Sequence, residues 1–239
     1  MPRTDLTTCL FDLDGTLIDS ETIWIEAIQA ALAAKGIQVT IEDVTRIEYG
    51  RAWKEIYRDI HSRWPDAYPT IQEMEAFTVA YYERVTATRD ISIPGSVTLL
   101  KRLATEGYAV GIVTGSTRER IAAVIKKLEL APYVKGYVGG EDYPNGKPAP
   151  DGYLAGARLL GARPEQCVAF EDAPAGIASA KAAGMLCVAF CPHLRGAEPA
   201  PLRGAEPARH GEAQAPSCAL AQPDLVLGNL AEFTFDMLP

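Results

Sequence analysis

The sequence predicts an α/β fold: a doubly wound parallel sheet of Rossmann-like type, with an α-helical cap inserted after its first strand. Three observations predict it. Short apolar runs alternate with helical stripes through the second half of the chain, the pattern of strands joined by crossover helices. Residues 21–90 read as helix with no strand pattern among them. Clusters of acids, hydroxyls and one lysine follow directly on the apolar runs, where open parallel sheets bind ligands.

Taken in order, Thr7 to Leu13 is an apolar run that closes on a carboxylate, as a buried parallel strand entering a loop does. From residue 21 the period lengthens. Trp24, Ala27, Ile28 and Ala31 recur at i, i+3, i+4, i+7 and Gly36 follows as a terminator, so 21–35 is an amphipathic helix. Thr40-Ile-Glu-Asp43 and Thr70-Ile-Gln-Glu73 have the spacing of capping boxes that open further helices, with another over Ala52 to Ser62. At Ile93-Pro-Gly-Ser96 the pattern switches. A helix over 97–106 ends at Gly107, and Ala109 to Val113 is a strand. Ser116-Thr-Arg-Glu119 has capping-box spacing with Ser116 as N-cap, and Ile121, Val124, Ile125 and Leu128 form the next stripe. Strands follow at 134–138, 167–170 and 186–190, separated by helices near 151–160 and 174–183, with a last strand at 224–227. The expected organisation is therefore a discontinuous α/β core over 1–19 and 91–239 and a helical cap over 20–90. The crossings near 16–21 and 88–94 are expected to act as hinges. Leu194-Arg-Gly-Ala-Glu-Pro-Ala200 recurs as Leu202-Arg-Gly-Ala-Glu-Pro-Ala208, inside an Ala- and Pro-rich stretch (191–222) with few large apolar residues. That stretch reads as a low-complexity, mobile surface insertion within the core.

Composition narrows the classes. With 239 residues, 48% hydrophobic and 23% charged, the chain has the makings of a globular core. A net charge of −8 without a Lys/Arg stripe argues against nucleic acid as a partner. The longest strongly apolar run, Met185 to Phe190, is far too short for a membrane span. The first residues carry no apolar signal core, so a cytoplasmic protein is expected. Five cysteines, three of them inside apolar runs (Cys9, Cys167 and Cys187), read as core residues, not a disulfide framework, and Cys187 with Cys191 makes no zinc set.

Four polar groups stand at strand ends. In Phe11-Asp-Leu-Asp-Gly-Thr16, two carboxylates two residues apart at the end of a buried strand need a metal or positive charge to compensate them. Thr114-Gly-Ser-Thr117 opens a helix after a strand, which is where backbone N–H groups and hydroxyls bind anions; Thr114 precedes the cap and is expected to face the ligand. Asn145-Gly-Lys-Pro-Ala-Pro150 fixes Lys147 in a loop; a lysine held beside carboxylates would lower their pKa and neutralise phosphoryl charge. It is no P-loop, because Pro148 stands where Ser or Thr is required. Glu171-Asp-Ala-Pro174 follows the strand at 167–170, and with Asp12 these acids make an oxygen site of the kind Mg²⁺ prefers.

Together and in this order, the four resemble the motifs of the haloacid dehalogenase superfamily, in its capped phosphatase and phosphomutase branch, over residues 7 to 190. The resemblance implies Asp12 as the nucleophile that takes up a phosphoryl group, and Asp14 as general acid and then base, with its backbone carbonyl on Mg²⁺. It implies Thr114 and Lys147 on the transferred oxygens, Ser116 near the substrate, Asp172 in the metal shell and Glu171 acting there through water. Gly50 and Arg51 would face the substrate from the cap. Asp14 disfavours dehalogenation, since dehalogenating members lack a second Asp. β-Phosphoglucomutase-like members carry a histidine ten residues after that Asp, where this chain has Trp24, which favours hydrolysis over the mutase alternative. The implied activity is Mg²⁺-dependent hydrolysis of a small sugar or polyol phosphate, most like glycerol-phosphate and deoxysugar-phosphate phosphatases. With Asp12, Asp14 and Lys147 intact, a non-catalytic phosphometabolite-binding protein is the minor alternative.

Overall fold

The computed structural model describes residues 5–48, 53–191 and 222–239. The repeat segment and the expected substrate contacts Gly50 and Arg51 lie outside them. The chain divides into two compact units, Met1–Ile18 with Ser92–Pro239, and Asp19–Ile91.

The first unit is built on six strands: β1 (Thr8–Phe11), β2 (Ala109–Val113), β3 (Gly136–Val138), β4 (Cys167–Glu171), β5 (Leu186–Phe190) and β6 (Leu225–Leu227). They pair in the order β3-β2-β1-β4-β5-β6, and every pairing is parallel. This is a doubly wound α/β sheet, with the strand order reversing beside β1. Side chains alternate across a strand, so each face has its own core. Leu10, Val113, Cys167, Ala169, Cys187 and Ala189 form one face, against Tyr153 and Ala157 of α7 (Asp151–Leu159) and Ile177 and Ala180 of α8 (Pro174–Ala182). On the other face Phe11 stacks on Phe170 with ring centres 4.4 Å apart, and Phe170 meets Phe233 edge-on.

Several boundaries move from their sequence-based positions. The helix expected at 97–106 is α5 (Pro94–Thr105), which starts earlier because Pro94 takes the first helical position, where its missing N–H costs nothing. Strand β3 begins at Gly136, not at Val134, whose N–H is bound to the Leu130 carbonyl in a turn. The capping residue of α6 (Arg118–Lys127) is Thr117 and not Ser116: Thr117 accepts from the Arg120 N–H, which frees the Ser116 hydroxyl for another partner.

The second unit contains four helices among the described residues: α1 (Ser20–Ala34), α2 (Ile41–Glu48), α3 (Trp53–Arg63) and α4 (Ile71–Thr88). Thr40 and Asp43 form the reciprocal capping box, and Thr70 accepts from the Glu73 N–H at the start of α4. Ile28, Ala31, Leu32, Val44, Ile47, Ile56, Ile60 and Met74 make a core of their own, and Arg89 binds both oxygens of Glu26 to tie the end of α4 to α1. Cys9, Cys167 and Cys187 are buried free thiols. Cys191 departs from the expectation: it is disulfide-bonded. No described helix is long and apolar enough to cross a membrane.

Candidate active site

The register of the sheet places the chemistry. Phe11 of β1 is paired with Phe170 of β4, so the next residues, Asp12 and Glu171, come side by side at the carboxyl ends of the two central strands. Both lie two residues beyond side chains of the α7–α8 face (Leu10 and Ala169), so both turn toward Tyr153. Oxygens of Asp12, Glu171 and Asp172 approach within 4.8 Å of one another.

Lys147 enters this group from the loop before α7. Three bonds hold that loop: Asn145 Nδ2 to Asp151 Oδ1 at 2.9 Å, the Ala149 N–H to the Gly146 carbonyl at 3.0 Å, and the Ser179 hydroxyl of α8 to the Ala149 carbonyl at 2.6 Å. The Lys147 ammonium lies 2.5 Å from Asp12 Oδ1 and also binds Glu171 Oε1, which accepts from the Tyr153 hydroxyl at 2.7 Å. Thr16 donates to Asp172 Oδ1 at 2.9 Å. Gly15, with φ +82°, is the turn that lets this happen: a Cβ there would stand 2.2 Å from Asp172 Oδ2. Gly176 of α8 likewise lies so close to Glu171 that a Cβ would come within 2.0 Å of Oε1. Asp172 does not cap α8, whose capping position is Ala173.

Lys147 pulls the Asp12 carboxyl down, as expected, but burial outweighs it. Burial pushes the Asp12 carboxyl up to about 8; Lys147 pulls the other way, and Glu171 and Asp14 add to the rise. For Lys147, burial works to lower the ammonium's pKa, and Asp12 and Glu171 outweigh it, so the group stays charged well above its usual value. Among the described residues three carboxyl groups share this cluster with one ammonium, and Glu171 Oε2 is buried there with no hydrogen-bond partner. An all-oxygen donor set with such a carboxylate oxygen fits a hard divalent cation.

Asp14, two residues after Asp12, does not join the trio with its side chain. Its Oδ2 accepts from the Ser116 hydroxyl at 2.6 Å and its Oδ1 from Arg120 Nη2 at 2.6 Å. Thr114 is buried, and its Oγ1 accepts from the Ser116 N–H at 3.1 Å, so it is engaged locally and not wholly turned to a ligand. The structure thus gathers Asp12, Lys147, Glu171 and Asp172 in one cluster and Asp14 with Ser116 in another. It adds Thr16, Tyr153 and Arg120, which the sequence reading gave no role. Thr16 closes the quoted Phe11–Thr16 motif, and Tyr153 lies three residues past the quoted Asn145–Pro150 loop. Arg120 had no signal, since an arginine in a helix's first turn reads as solvated.

In the helical unit, a cleft of about 300 Å³ is lined by Trp24, Ile28, Glu48, Trp53, Thr78 and Val79. Glu48 Oε2 and Trp53 Nε1 are buried there without hydrogen-bond partners among the described residues, and burial, with Glu21 nearby, pushes the Glu48 carboxyl up to about 7.

Carboxylates and a half-buried lysine where a doubly wound sheet reverses its strand order define an α/β enzyme. The chain belongs to the haloacid dehalogenase-like hydrolases, whose family model matches residues 6–184. It is 33% identical over 179 residues to validoxylamine A 7'-phosphate phosphatase of Streptomyces hygroscopicus subsp. limoneus, covering 75% of this chain and 83% of that one. It is 34% identical over 183 residues to hexitol phosphatase A of Escherichia coli K12, with 75% and 81% covered. A crystal structure of a HAD family hydrolase from Deinococcus radiodurans R1 with bound phosphate and sodium has the same fold, with a TM-score of 0.74 at 21% identity and 98% of each chain covered.

Proposed function

We propose that the chain is a phosphatase that hydrolyses a small, hydroxyl-rich phosphate monoester, a sugar or polyol phosphate, through an aspartyl-phosphate. One observation carries this reading: the two aspartates of a single loop are separated into two environments, Asp12 buried against Lys147 and Asp14 turned to Ser116 and Arg120. In the first step Asp12 attacks phosphorus, the bond to the leaving oxygen breaks, and Asp14 gives that oxygen its proton. In the second, water attacks the same phosphorus, Asp14 takes a proton from it, and Asp12 is released. Lys147 and the Thr114 hydroxyl bind the transferred oxygens, where positive charge and a donor are needed as charge develops. Asp12, Glu171 and Asp172 would hold Mg²⁺, which when bound supplies the charge that lets a carboxylate meet an anionic phosphate.

The relatives named for hexitol and validoxylamine phosphates support the substrate class. Hydrolysis is favoured over phosphate migration by Trp24, which stacks on Tyr82 at 4.5 Å and carries no titratable group to exchange protons with a sugar. The test is phosphate release from a panel of sugar and polyol phosphates, with Mg²⁺ or with chelator. Asp12→Asn is expected to lower the rate roughly 10⁴-fold or more, and Asp14→Asn roughly 10²–10⁴-fold. Isomerised sugar phosphate without released phosphate would replace this reading with the mutase one.

A further inference from the structure

Both oxygens of Asp14 are occupied, although its side chain is 31% exposed and water could have served them. One is bound by Ser116 and one by Arg120, each at 2.6 Å. These two donors come from the same short turn that presents Thr114: Thr114 Oγ1 receives the Ser116 N–H, Thr117 caps the helix by receiving the Arg120 N–H, and Arg120 is the third residue of α6. A cation is misplaced at that end of a helix, where the unsatisfied N–H groups already carry partial positive charge. Helix stability therefore does not account for Arg120, whereas a carboxylate within reach does.

We propose that Arg120, with Ser116, is a positioning residue for the acid–base group assigned above: a planar guanidinium and a hydroxyl grip the Asp14 carboxyl from its two oxygens and fix where it meets the leaving oxygen. The role rests on the phosphatase reading and makes it more specific. A carboxyl held by one donor alone turns about its χ angles, and proton delivery falls off steeply with misalignment. A guanidinium restricts that rotation better than an ammonium, because its donors lie in a rigid plane. The other charges nearby are already assigned. Lys147 is bound to Asp12 and Glu171, and Arg118 is paired with Asp142 at 2.7 Å.

The consequence is a dependence on leaving group. A misplaced acid matters when the departing oxygen is a basic alkoxide and hardly at all when it is a stabilised phenolate. The experiment compares kcat/KM, which reports the steps up to departure of the leaving group, for an alkyl phosphate such as glycerol phosphate and for p-nitrophenyl phosphate. Arg120→Ala is expected to lose roughly 10- to 100-fold on the alkyl ester and less than about threefold on the aryl ester. Arg120→Lys should recover part of the loss, millimolar guanidinium should restore Arg120→Ala, and Ser116→Ala should show the same selectivity with a smaller amplitude. Thermal melting of each variant separates these effects from misfolding. An equal loss on both esters, or no loss on either, would overturn the positioning role while leaving the phosphatase reading intact. If the unaltered protein released phosphate from neither ester, both would fall together.

Discussion

The α/β unit and the helical unit bury charge in opposite ways. At the ends of β1 and β4, Asp12, Glu171, Lys147 and Tyr153 are partners of one another, and the carboxyl groups share one cluster of oxygens. In the helical unit, Glu48 and Trp53 bury a carboxylate oxygen and an indole N–H with no hydrogen-bond partner among the described residues. A paired buried charge resists removal of its partner, whereas an unpaired one costs stability whenever it is ionised. The lesson is that buried acidity in this chain has two signatures, and a substitution distinguishes them by its sign.

The largest effect is expected from Lys147→Met. It leaves Asp12 and Glu171 facing each other without their cation, and breaking a buried pair from one side costs about 3–5 kcal/mol. Urea unfolding should show that loss, together with loss of phosphate release. If stability were unchanged, the cluster would not be the paired site described here.

Next comes the response of the unaltered chain to pH and metal. A carboxyl whose pKa is raised on folding binds protons more tightly in the native state, so stability falls as pH rises from its unfolded value to its folded one. For Asp12 that window runs from 3.8 to about 8, and for Glu48 from 4.5 to about 7. Without metal, stability should decline across both windows. Mg²⁺ should raise Tm more at pH 8 than at pH 5, because it offsets only the charge around Asp12. An equal rise at both would mean that the cation binds elsewhere.

Tyr153→Phe removes the hydroxyl bond to Glu171 and leaves the ring in place. A loss of about 1–2 kcal/mol is expected by urea unfolding, and no measurable loss would show that water takes over the bond. The smallest effect is the one with reversed sign. Glu48→Gln removes a charge that none of the described residues compensates, and after discounting for its partial exposure it should stabilise by about 1 kcal/mol at pH 8. At pH 5, where the native carboxyl is already neutral, it should change little. A destabilised Glu48→Gln at pH 8 would reveal a partner for that carboxylate and erase the contrast between the units.

Legibility in the sequence followed the range of the forces involved. Strands β1, β2, β4 and β5 lie within runs whose apolar pattern is continuous, α1 lies within one residue of the bounds its stripe and Gly36 set, and α2 begins at its Thr40 capping box. The α6 cap was misread because Ser116 and Thr117 are adjacent hydroxyls, either able to cap. The choice fell to Thr117 only because Asp14, 102 residues away in sequence, takes the Ser116 hydroxyl. The net rise of the Asp12 carboxyl has a related cause: the pull of Lys147 is readable from motif spacing, but the depth of burial that outweighs it is not.

What the sequence determined by itself is local and periodic. It set the alternation of strand and helix, and it put acids, a threonine and a lysine just past the strand ends, because a parallel sheet opens its loops there. Tertiary structure alone decided which of those groups share charge. The pairing of Phe11 with Phe170 sets Asp12 beside Glu171, and the packing of α6 brings Arg120 to Asp14 across 106 residues of chain. A hydrogen bond depends on position to within a fraction of an ångström, and no periodicity in one dimension carries that information.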